Sequence, residues 1–162
     1  VLSEYLVGGL SRPRLRVLAA RVVAAHLASD GATFVETFRV LHHDYRFPVK
    51  VAYTIAMRIF RGGGMVKDAI YLRGLQKVLE YLRSDGELEP LFVGKISASD
   101  IPLILELQRR EVLSPPPLQP HYLGAFGAEQ RLEKMRNGAT VLDLIRHSPG
   151  GAAATTKVIP SR

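Results

Sequence analysis

The sequence predicts an all-α or strongly α-dominated fold, and three observations lead to this prediction. Apolar residues recur at helical spacing in several segments, strand-like alternation is nearly absent, and helix-capping residues precede the periodic segments. With 162 residues, of which 47% are hydrophobic and 23% are charged, the chain is long enough to bury a core. We therefore expect one mainly helical domain.

The composition of the chain argues against several classes of protein, such as disulfide-bonded, membrane-spanning and signal-peptide-bearing proteins. The chain has no cysteine, which excludes disulfides and thiolate metal sites within it. No apolar run approaches the roughly 20 residues that span a bilayer. The first residues are apolar but lack the basic region and cleavage site of a signal peptide. We therefore expect a cytoplasmic protein with no membrane partner.

A long apolar helix is expected near the N-terminus. Ser11 can cap a helix that carries Pro13 in its first turn, and the segment from Leu15 to Leu27 is apolar on almost every side. A helix of this kind is buried over most of its circumference. His26 lies beside apolar residues of this helix, so we expect it in the core or at the core boundary.

A short helix is expected next. Thr33 and Glu36 have the spacing of a capping box and predict a helix through Leu41. The sequence HHD at residues 42–44 follows it. Neighbouring residues on a helix point about 100° apart, so these side chains do not easily converge on one ion. Imidazoles that decorate a helix C-terminus are the favoured interpretation.

A third helix is expected from Pro48 to about Arg61, with a broad apolar stripe and an opposite basic face. The stripe contains Val49, Ala52, Ile55, Ala56, Ile59 and Phe60. The basic face contains Lys50, Thr54, Arg58 and Arg61. The glycines at 62–64 then predict a hinge or tight turn, because their spacing is not that of a phosphate-binding loop.

The most regular helix is expected from Lys67 to Arg83. Its core stripe contains Tyr71, Leu75, Val78, Leu79 and Leu82. Lys67 and Tyr71 are four residues apart and share a face, and Asp68 lies near the same inward side. Two interpretations stay open. Asp68 is the N-cap with Lys67 as an exposed neighbour, or the glycine segment brings Lys67, Asp68 and Tyr71 to one functional face.

The rest of the chain predicts shorter elements. Residues 87–94 form a short helix or an extended connector. A helix is expected from Ile101 to about Arg110, with caps in the serine- and aspartate-containing segment before it. The prolines at 115–117 mark a boundary. Two short helices are expected at 127–136 and 140–147, and a disordered tail follows.

The chain has a net charge of +7, and Arg12, Arg14, Arg16 and Arg21 crowd one stretch. Such a surplus indicates either a solvated surface or a face for an acidic partner such as nucleic acid. Aromatic residues are not interleaved with the basic ones, and no zinc-finger or RNP-type motif is present. The solvated surface is therefore the favoured interpretation.

One stretch, GGGMVKDAIYLRGLQKVLEYL, resembles a known family when it is read with EYLVGGLSRPRLRVLAARVVAAH before it and LEPLFVGKI after it. The chain is similar to the bacterial QEGLA-motif proteins, which are described as flavohaemoglobin expression-modulating. That family is in turn similar to the eukaryotic microtubule-associated tyrosine carboxypeptidases. The resemblance runs from Val1 to about Leu123. Its most specific part is the K-D-x-x-Y-L-x-G pattern of Lys67, Asp68, Tyr71, Leu72 and Gly74.

The resemblance implies a zincin-like metallopeptidase with a catalytic zinc. In the family, the zinc ligands and the water-activating glutamate come from an H-E-x-x-x-H helix and the Q-E-G-L-A motif. Neither motif is present in this chain, and the family's motif order places both upstream of Val1. The chain is then expected to be the C-terminal, substrate-side fragment of a zinc metallocarboxypeptidase-like protein. It would hold no metal and would not be catalytic by itself.

The resemblance also implies partners and boundaries. The expected partners are the missing metal-binding half, on the same or a separate chain, and a peptide or protein C-terminus as substrate. Residues 1–123 would belong to the family domain, 124–147 would form a short helical extension, and 148–162 would form the disordered tail.

Substrate roles follow only for the positions that match the family pattern and for one nearby arginine. The resemblance implies that Lys67, Asp68 and Tyr71 line the substrate side of the metal cleft. Lys67 or Arg58 would bind a peptide's terminal carboxylate, and the Tyr71 hydroxyl would stabilise a developing oxyanion.

Loss of the metal-binding half has a structural corollary. It would leave Leu2, Tyr5, Leu6 and Leu10 exposed as an apolar patch. The alternative function is a free-standing basic helical module that binds an acidic partner, with nucleic acid as the first partner to test.

Overall fold

The computed structural model describes residues 1–61 and 67–145. Within these ranges the α-helices are α1 (Leu2–Leu6), α2 (Arg12–Ser29), α3 (Phe34–Arg39), α4 (Val49–Arg61), α5 (Ile70–Arg83), α6 (Ile101–Arg109) and α7 (Ala128–Arg136). No strand occurs in the described ranges, so the prediction of an all-α fold is confirmed. The predictions for the glycines at 62–64 and for the tail at 148–162 lie outside the described residues.

Shorter helical turns join these helices. A π-helical turn (Val40–Asp44) continues α3 directly. The 3-10 turns are Lys67–Ala69, Glu89–Phe92, Ala98–Asp100, His121–Gly124 and Asp143–Ile145. Among the described residues, no helix combines the length and the hydrophobicity that crossing a membrane requires.

The longest helix, α2, begins at the predicted cap, where the Ser11 hydroxyl accepts a hydrogen bond from the Arg14 N–H at 3.3 Å. Alanines on α2 and α4 allow the two helices to pack closely. Buried side chains of these two helices and of the segment between them form the α2–α4 cluster: Ala20, Ala24, Ala25, Leu41, Phe47, Ala52, Ile55, Ala56 and Ile59. His26 lies outside it and is exposed. The expectation that His26 lies in the core or at its boundary is wrong, because this side of α2 borders an open pocket beside α5.

The capping box before α3 forms as predicted. The Thr33 N–H donates to the Glu36 carboxylate at 2.7 Å, and the Glu36 N–H donates to the Thr33 hydroxyl at 3.3 Å. The helix then continues into the π-helical turn instead of ending at Leu41. There the ring Nδ1 of His42 lies 2.8 Å from the Phe47 carbonyl oxygen, which fixes that imidazole to the backbone.

A second set of buried residues joins α1 to α5 and α7. This α1–α5–α7 cluster contains Tyr5, Leu6, Leu10, Leu75, Leu79, Leu82, Leu88, Met135 and Leu144. The expectation that Leu2, Tyr5, Leu6 and Leu10 form an exposed patch is therefore wrong. Leu6 is fully buried, Tyr5 and Leu10 are 5% exposed, and Leu2 is partly buried, because α1 packs against α7 and the apolar side of α5.

The core stripes of α4 and α5 are confirmed in their centres and wrong at their ends. Val49 and Phe60 at the two ends of α4 are 57% and 37% exposed. Tyr71 in the first turn of α5 is 42% exposed. The apolar pattern of each helix extends to these positions, but the buried clusters that cover its centre do not. The residues at the ends of the pattern are therefore exposed to solvent.

The C-terminal elements are shorter than predicted. The segment 87–94 contains a 3-10 turn, whereas α6 and α7 occupy the predicted ranges to within a residue or two at each end. The helix expected at 140–147 is wrong over its described part, which contains only the 3-10 turn. The Asp143 carboxylate accepts hydrogen bonds from the N–H and hydroxyl of Thr140 at 3.0 and 2.5 Å, which closes a tight turn there.

Candidate functional site

Asp68 occupies the centre of the candidate site. It lies in the 3-10 turn before α5 and is only 6% exposed. A carboxylate at this depth needs partners, because an unpaired buried charge is strongly unfavourable. The Arg58 Nε donates a hydrogen bond of 2.8 Å to Asp68 Oδ2, and the Arg21 Nη1 lies 3.6 Å from Asp68 Oδ1. Two arginines from α4 and α2 thus hold the start of α5.

This arrangement rules out the N-cap interpretation of Asp68 and leaves the functional interpretation as a prediction. The N-cap of α5 is Ala69, and no side chain caps it. Asp68 is therefore not the N-cap, although Lys67 is exposed as that interpretation expected. The carboxylate instead connects three helices through charged contacts.

The two guanidinium groups differ in their electrostatic surroundings. The hydrogen bond that Arg58 donates to Asp68 raises the pKa of Arg58 above its ordinary value, and the charge of Asp68 adds to this effect. For Arg21, burial lowers the pKa, the positive charge of Arg58 lowers it further, and Asp68 compensates in part. Both groups stay protonated near neutral pH, because the ordinary pKa of arginine lies far above neutrality.

The Arg21–Asp68 contact leaves polar atoms without hydrogen bonds. Within residues 1–61 and 67–145, neither Arg21 Nε nor Asp68 Oδ1 has a hydrogen-bond partner, and both atoms are buried. The contact at 3.6 Å is longer than a hydrogen bond. Arg21 therefore retains unused donor capacity beside Asp68.

An open pocket of about 230 Å³ lies between α2 and α4 beside this contact. It is lined by Val17, Arg21, Lys50, Val51, Thr54, Ile55 and Arg58. Three of the lining residues are cations and none is acidic. Together with the Asp68 carboxylate, they leave an excess of two positive charges. Apolar walls with convergent cations suit an anionic group on a partly apolar ligand.

The predicted site residues are brought together in part. Arg58 and Asp68 are hydrogen-bonded, and Tyr71 lies close enough to interact electrostatically with both Arg21 and Arg58. Lys67 is exposed and does not line the pocket.

Sequence reasoning missed two residues of this site, Arg21 and Lys50. A signal existed for Arg21, since a lone cation inside the apolar segment 15–27 requires a charged or polar partner. Lys50 had no such signal, because it shares the solvated face of α4 with Thr54 and Arg58.

The described residues bring few candidate ligands for a metal ion together. The described ranges contain no group of three or more His, Cys, Asp or Glu residues that could hold a metal ion. The rings of His42 and His43 are 4.8 Å apart, but Nδ1 of His42 is engaged with the Phe47 carbonyl oxygen. The donor set that zinc requires is thus not found in this part of the chain.

The arginine-rich stretch makes internal contacts. Arg14 pairs with Glu4 at 2.7 Å, and Arg16 lies over the Phe47 ring at 4.4 Å and donates to the Tyr45 carbonyl oxygen. Arg21 is engaged with Asp68. Three of the four cations that suggested an acidic partner therefore have contacts within the fold.

Most of the chain matches the model of a known protein family. A family model described as Microtubule-associated tyrosine carboxypeptidase matches residues 1–140, a range that includes all seven helices and the pocket between α2 and α4. No curated protein and no solved structure matches the chain.

Proposed function

Because this chain belongs to the microtubule-associated tyrosine carboxypeptidase family, we propose that it forms the C-terminal, substrate-side portion of a zinc metallocarboxypeptidase-like protein with a zincin-like fold. In this proposal the chain is not catalytic by itself. The zinc and the water-activating residues belong to a metal-binding half on the same or a separate chain. The role of the residues described here is to hold the C-terminal end of a peptide.

The placement of Arg58 is the observation that supports this proposal. Its Nε is engaged by Asp68 at 2.8 Å, which orients the guanidinium group, while its side chain remains 49% exposed. Arginine binds carboxylates through paired N–H groups, and a preoriented guanidinium loses less freedom on binding. Arg58 is thus the proposed anchor for the terminal carboxylate, and Lys67, which lies outside the pocket, is not.

Arg21 and Lys50 complete the proposed anion site. They add positive charge to the pocket that Arg58 also lines, and the apolar walls Val17, Val51 and Ile55 limit the water that competes for a carboxylate. Tyr71 lies near the same guanidinium groups and is half-exposed. In the proposal its hydroxyl donates a hydrogen bond to the peptide oxygen that develops negative charge during cleavage.

The test compares two forms of one peptide. The full chain is titrated into a fluorescein-labelled glycine–serine peptide that ends in Tyr with a free carboxylate. The same titration is made with the peptide whose C-terminus is amidated, and the two affinities are compared. We expect the free carboxylate to bind about tenfold more tightly, because charge-assisted hydrogen bonds contribute most of the specificity. Equal binding of both peptides would overturn the proposal.

Variants assign the effect to the pocket. Lys50→Gln removes one pocket cation and leaves the Arg58–Asp68 contact intact, and Arg58→Lys replaces the paired donors by a point charge. We expect both to weaken binding of the free carboxylate but not of the amide. Arg136→Gln, on α7, is the matched control for net charge. If it weakens binding as much as Lys50→Gln, the pocket is not the site.

The alternative, a basic module that binds nucleic acid, predicts a different result. A DNA or RNA probe would then bind with an affinity that falls steeply between low and physiological salt. Such binding, together with indifference to the peptide carboxylate, would replace the present proposal.

A further inference from the structure

Helix α4 carries four exposed apolar residues beside its buried face, and two of them, Val49 and Phe60, are the exposed ends of the predicted core stripe. At about 100° per residue, Val49, Tyr53, Met57 and Phe60 fall within an arc of about 80°. Their exposed fractions are 57%, 51%, 38% and 37%. We call these four residues the outer stripe. The buried residues of α4 lie on one side of it, and the basic face lies on the other.

The outer stripe is supported by a neighbouring helix. The ring of Phe34 in α3 packs edge-on against Tyr53 at 5.5 Å and against Phe60 at 5.8 Å. The stripe therefore lies along the border between α3 and α4 and does not form a free ridge. Several large apolar side chains that remain exposed side by side are typical of an interaction surface.

The charged residues that α4 itself places beside the outer stripe are all positive. The sequence of α4, VKVAYTIAMRIFR, contains no acidic residue, and Lys50 and Arg61 border the stripe directly. A second copy of this chain would place this row of cations against the same row, which is repulsive. A partner with Asp or Glu beside its apolar residues would instead complement both features.

We propose that the outer stripe of α4 is a docking site for an acidic amphipathic helix of a partner protein. The apolar residues of that helix lie against Tyr53, Met57 and Phe60, and its carboxylates pair with Lys50 and Arg61. From Val49 to Phe60 the stripe is about 16 Å long, which corresponds to about three helical turns. The partner helix therefore presents apolar residues at positions i, i+4, i+7 and i+11.

A helix fits this surface better than a membrane or nucleic acid does. Insertion into a bilayer favours side chains that protrude, whereas Tyr53 and Phe60 are packed against Phe34 on one side. Nucleic acid would use only the cations and would leave the outer stripe in water. Only a partner that carries both apolar residues and carboxylates contacts the outer stripe and the neighbouring cations at the same time.

The test uses a synthetic amphipathic helix of about four turns with Leu at the i, i+4, i+7 and i+11 positions and Glu beside them. A matched peptide carries Lys in place of every Glu. We expect the full chain to bind the Glu peptide about tenfold more tightly than the Lys peptide, because opposite charges meet beside the stripe. Equal affinities would overturn the proposal.

Two variants place the binding on α4. Met57→Glu adds a repulsive carboxylate to the stripe and is expected to weaken binding of the Glu peptide about tenfold. Tyr53→Gln removes apolar area without changing charge and is expected to weaken it severalfold. Both positions are on the surface, and circular dichroism checks that the helices are retained. Leu105→Gln, at a 46% exposed position on α6, is the matched control.

Three further outcomes would contradict the proposal. In the first, Leu105→Gln weakens binding of the Glu peptide as much as Tyr53→Gln does. In the second, both α4 variants bind the Glu peptide as tightly as the original chain does. In the third, the Glu peptide does not bind, while vesicles of phosphatidylglycerol and phosphatidylcholine, or duplex DNA, bind in a manner that depends on Tyr53 and Met57. Lys50 belongs to both surfaces, so the variants at Met57 and Tyr53, which do not line the carboxylate pocket, are what separate this test from the one above.

Discussion

The Nε of Arg58 donates a hydrogen bond of 2.8 Å to Oδ2 of Asp68, and these two residues stand on opposite sides of residues 62–66 in the chain. The contact joins α4 to the turn that begins α5, and Arg21 adds α2 to the same carboxylate. One buried charge therefore contributes to the position of α5 relative to both helices.

Replacing Asp68 by Asn tests this dependence. The variant leaves the guanidinium of Arg21, whose side chain is only 20% exposed, without its counter-charge. We expect the free energy of unfolding to fall by about 1–3 kcal/mol, a range that is reduced because Arg58 is half-exposed and screened by solvent. Urea denaturation measures the change.

Asp85→Asn serves as the control for Asp68→Asn. Asp85 is exposed and has a φ of 58°, a conformation that Asn also tolerates. We expect a change within about 0.5 kcal/mol. Equal losses in the two variants would mean that the contact with the arginines does not stabilise the fold.

Gly8→Ala tests the contact between the N-terminal helix and α7. Gly8 has a φ of +77°, and a Cβ there would lie 2.8 Å from Nη2 of Arg131. The Nη1 of that arginine donates hydrogen bonds to the carbonyl oxygens of Leu6 and Phe126. We expect a loss of about 2–3 kcal/mol in the free energy of unfolding, from the left-handed backbone and from displacement of Arg131.

Gly31→Ala separates these two contributions. Gly31 has a φ of +90°, but a Cβ there meets no atom within 4 Å. This control therefore carries the backbone strain alone, about 1–2 kcal/mol. If Gly8→Ala is no more destabilising than Gly31→Ala, the Arg131 contact contributes nothing measurable.

Thr37→Val is expected to stabilise the protein. Thr37 is fully buried, and its hydroxyl has no hydrogen-bond partner among residues 1–61 and 67–145. Valine has a similar shape and removes the buried polar group, so we expect a gain of about 1 kcal/mol and a rise of Tm by a few degrees. Thr54→Val is the control, because its exposed hydroxyl donates to the Lys50 carbonyl oxygen. A lower Tm for Thr37→Val would show that its hydroxyl is satisfied.

Tyr5→Phe is expected to reduce the loss of stability at alkaline pH. Burial raises the pKa of Tyr5, and the nearby charge of Arg131 opposes this effect in part. The unfolded chain therefore loses the phenol proton first, near the ordinary value of about 10. The stability that this group contributes is fully present below that pH and is lost as the pH rises through the higher folded-state pKa.

Stability measured as a function of pH checks the Tyr5 prediction. Between about pH 9 and 11 the variant should lose less stability than the original chain. The effect is partial, because burial also raises the pKa of Tyr81 and of Tyr122. Identical alkaline profiles for the two proteins would contradict the assignment.

Most helices could be predicted because their signals are local. Ser11 and the Thr33–Glu36 pair mark helix starts through bonds to residues three positions away, and the leucines of α5 recur at helical spacing. The exposure of Tyr71 and His26 could not be predicted in this way. Their exposure depends on how far a neighbouring helix extends over the apolar face. The spacing of residues within one helix gives no information about this.

The candidate site shows the same division. The helical face that carries Arg58 and the inward position of Asp68 followed from spacing and from the family pattern. The pocket itself requires α2 to lie across α4, which brings Arg21 beside Lys50 and Arg58. This proximity is a property of tertiary packing between residues that are far apart in the chain, so the sequence pattern of either helix does not reveal it.

The two buried clusters differ in how much of the chain must exist before they can form. The α2–α4 cluster draws its buried members from residues 20–59, so it is complete soon after α4 has left the ribosome. The α1–α5–α7 cluster joins Leu6 to Met135 and Leu144. Contacts of such long sequence separation form late. During synthesis the apolar side of α1 is therefore without its cluster partners until the residues up to Leu144 have been made.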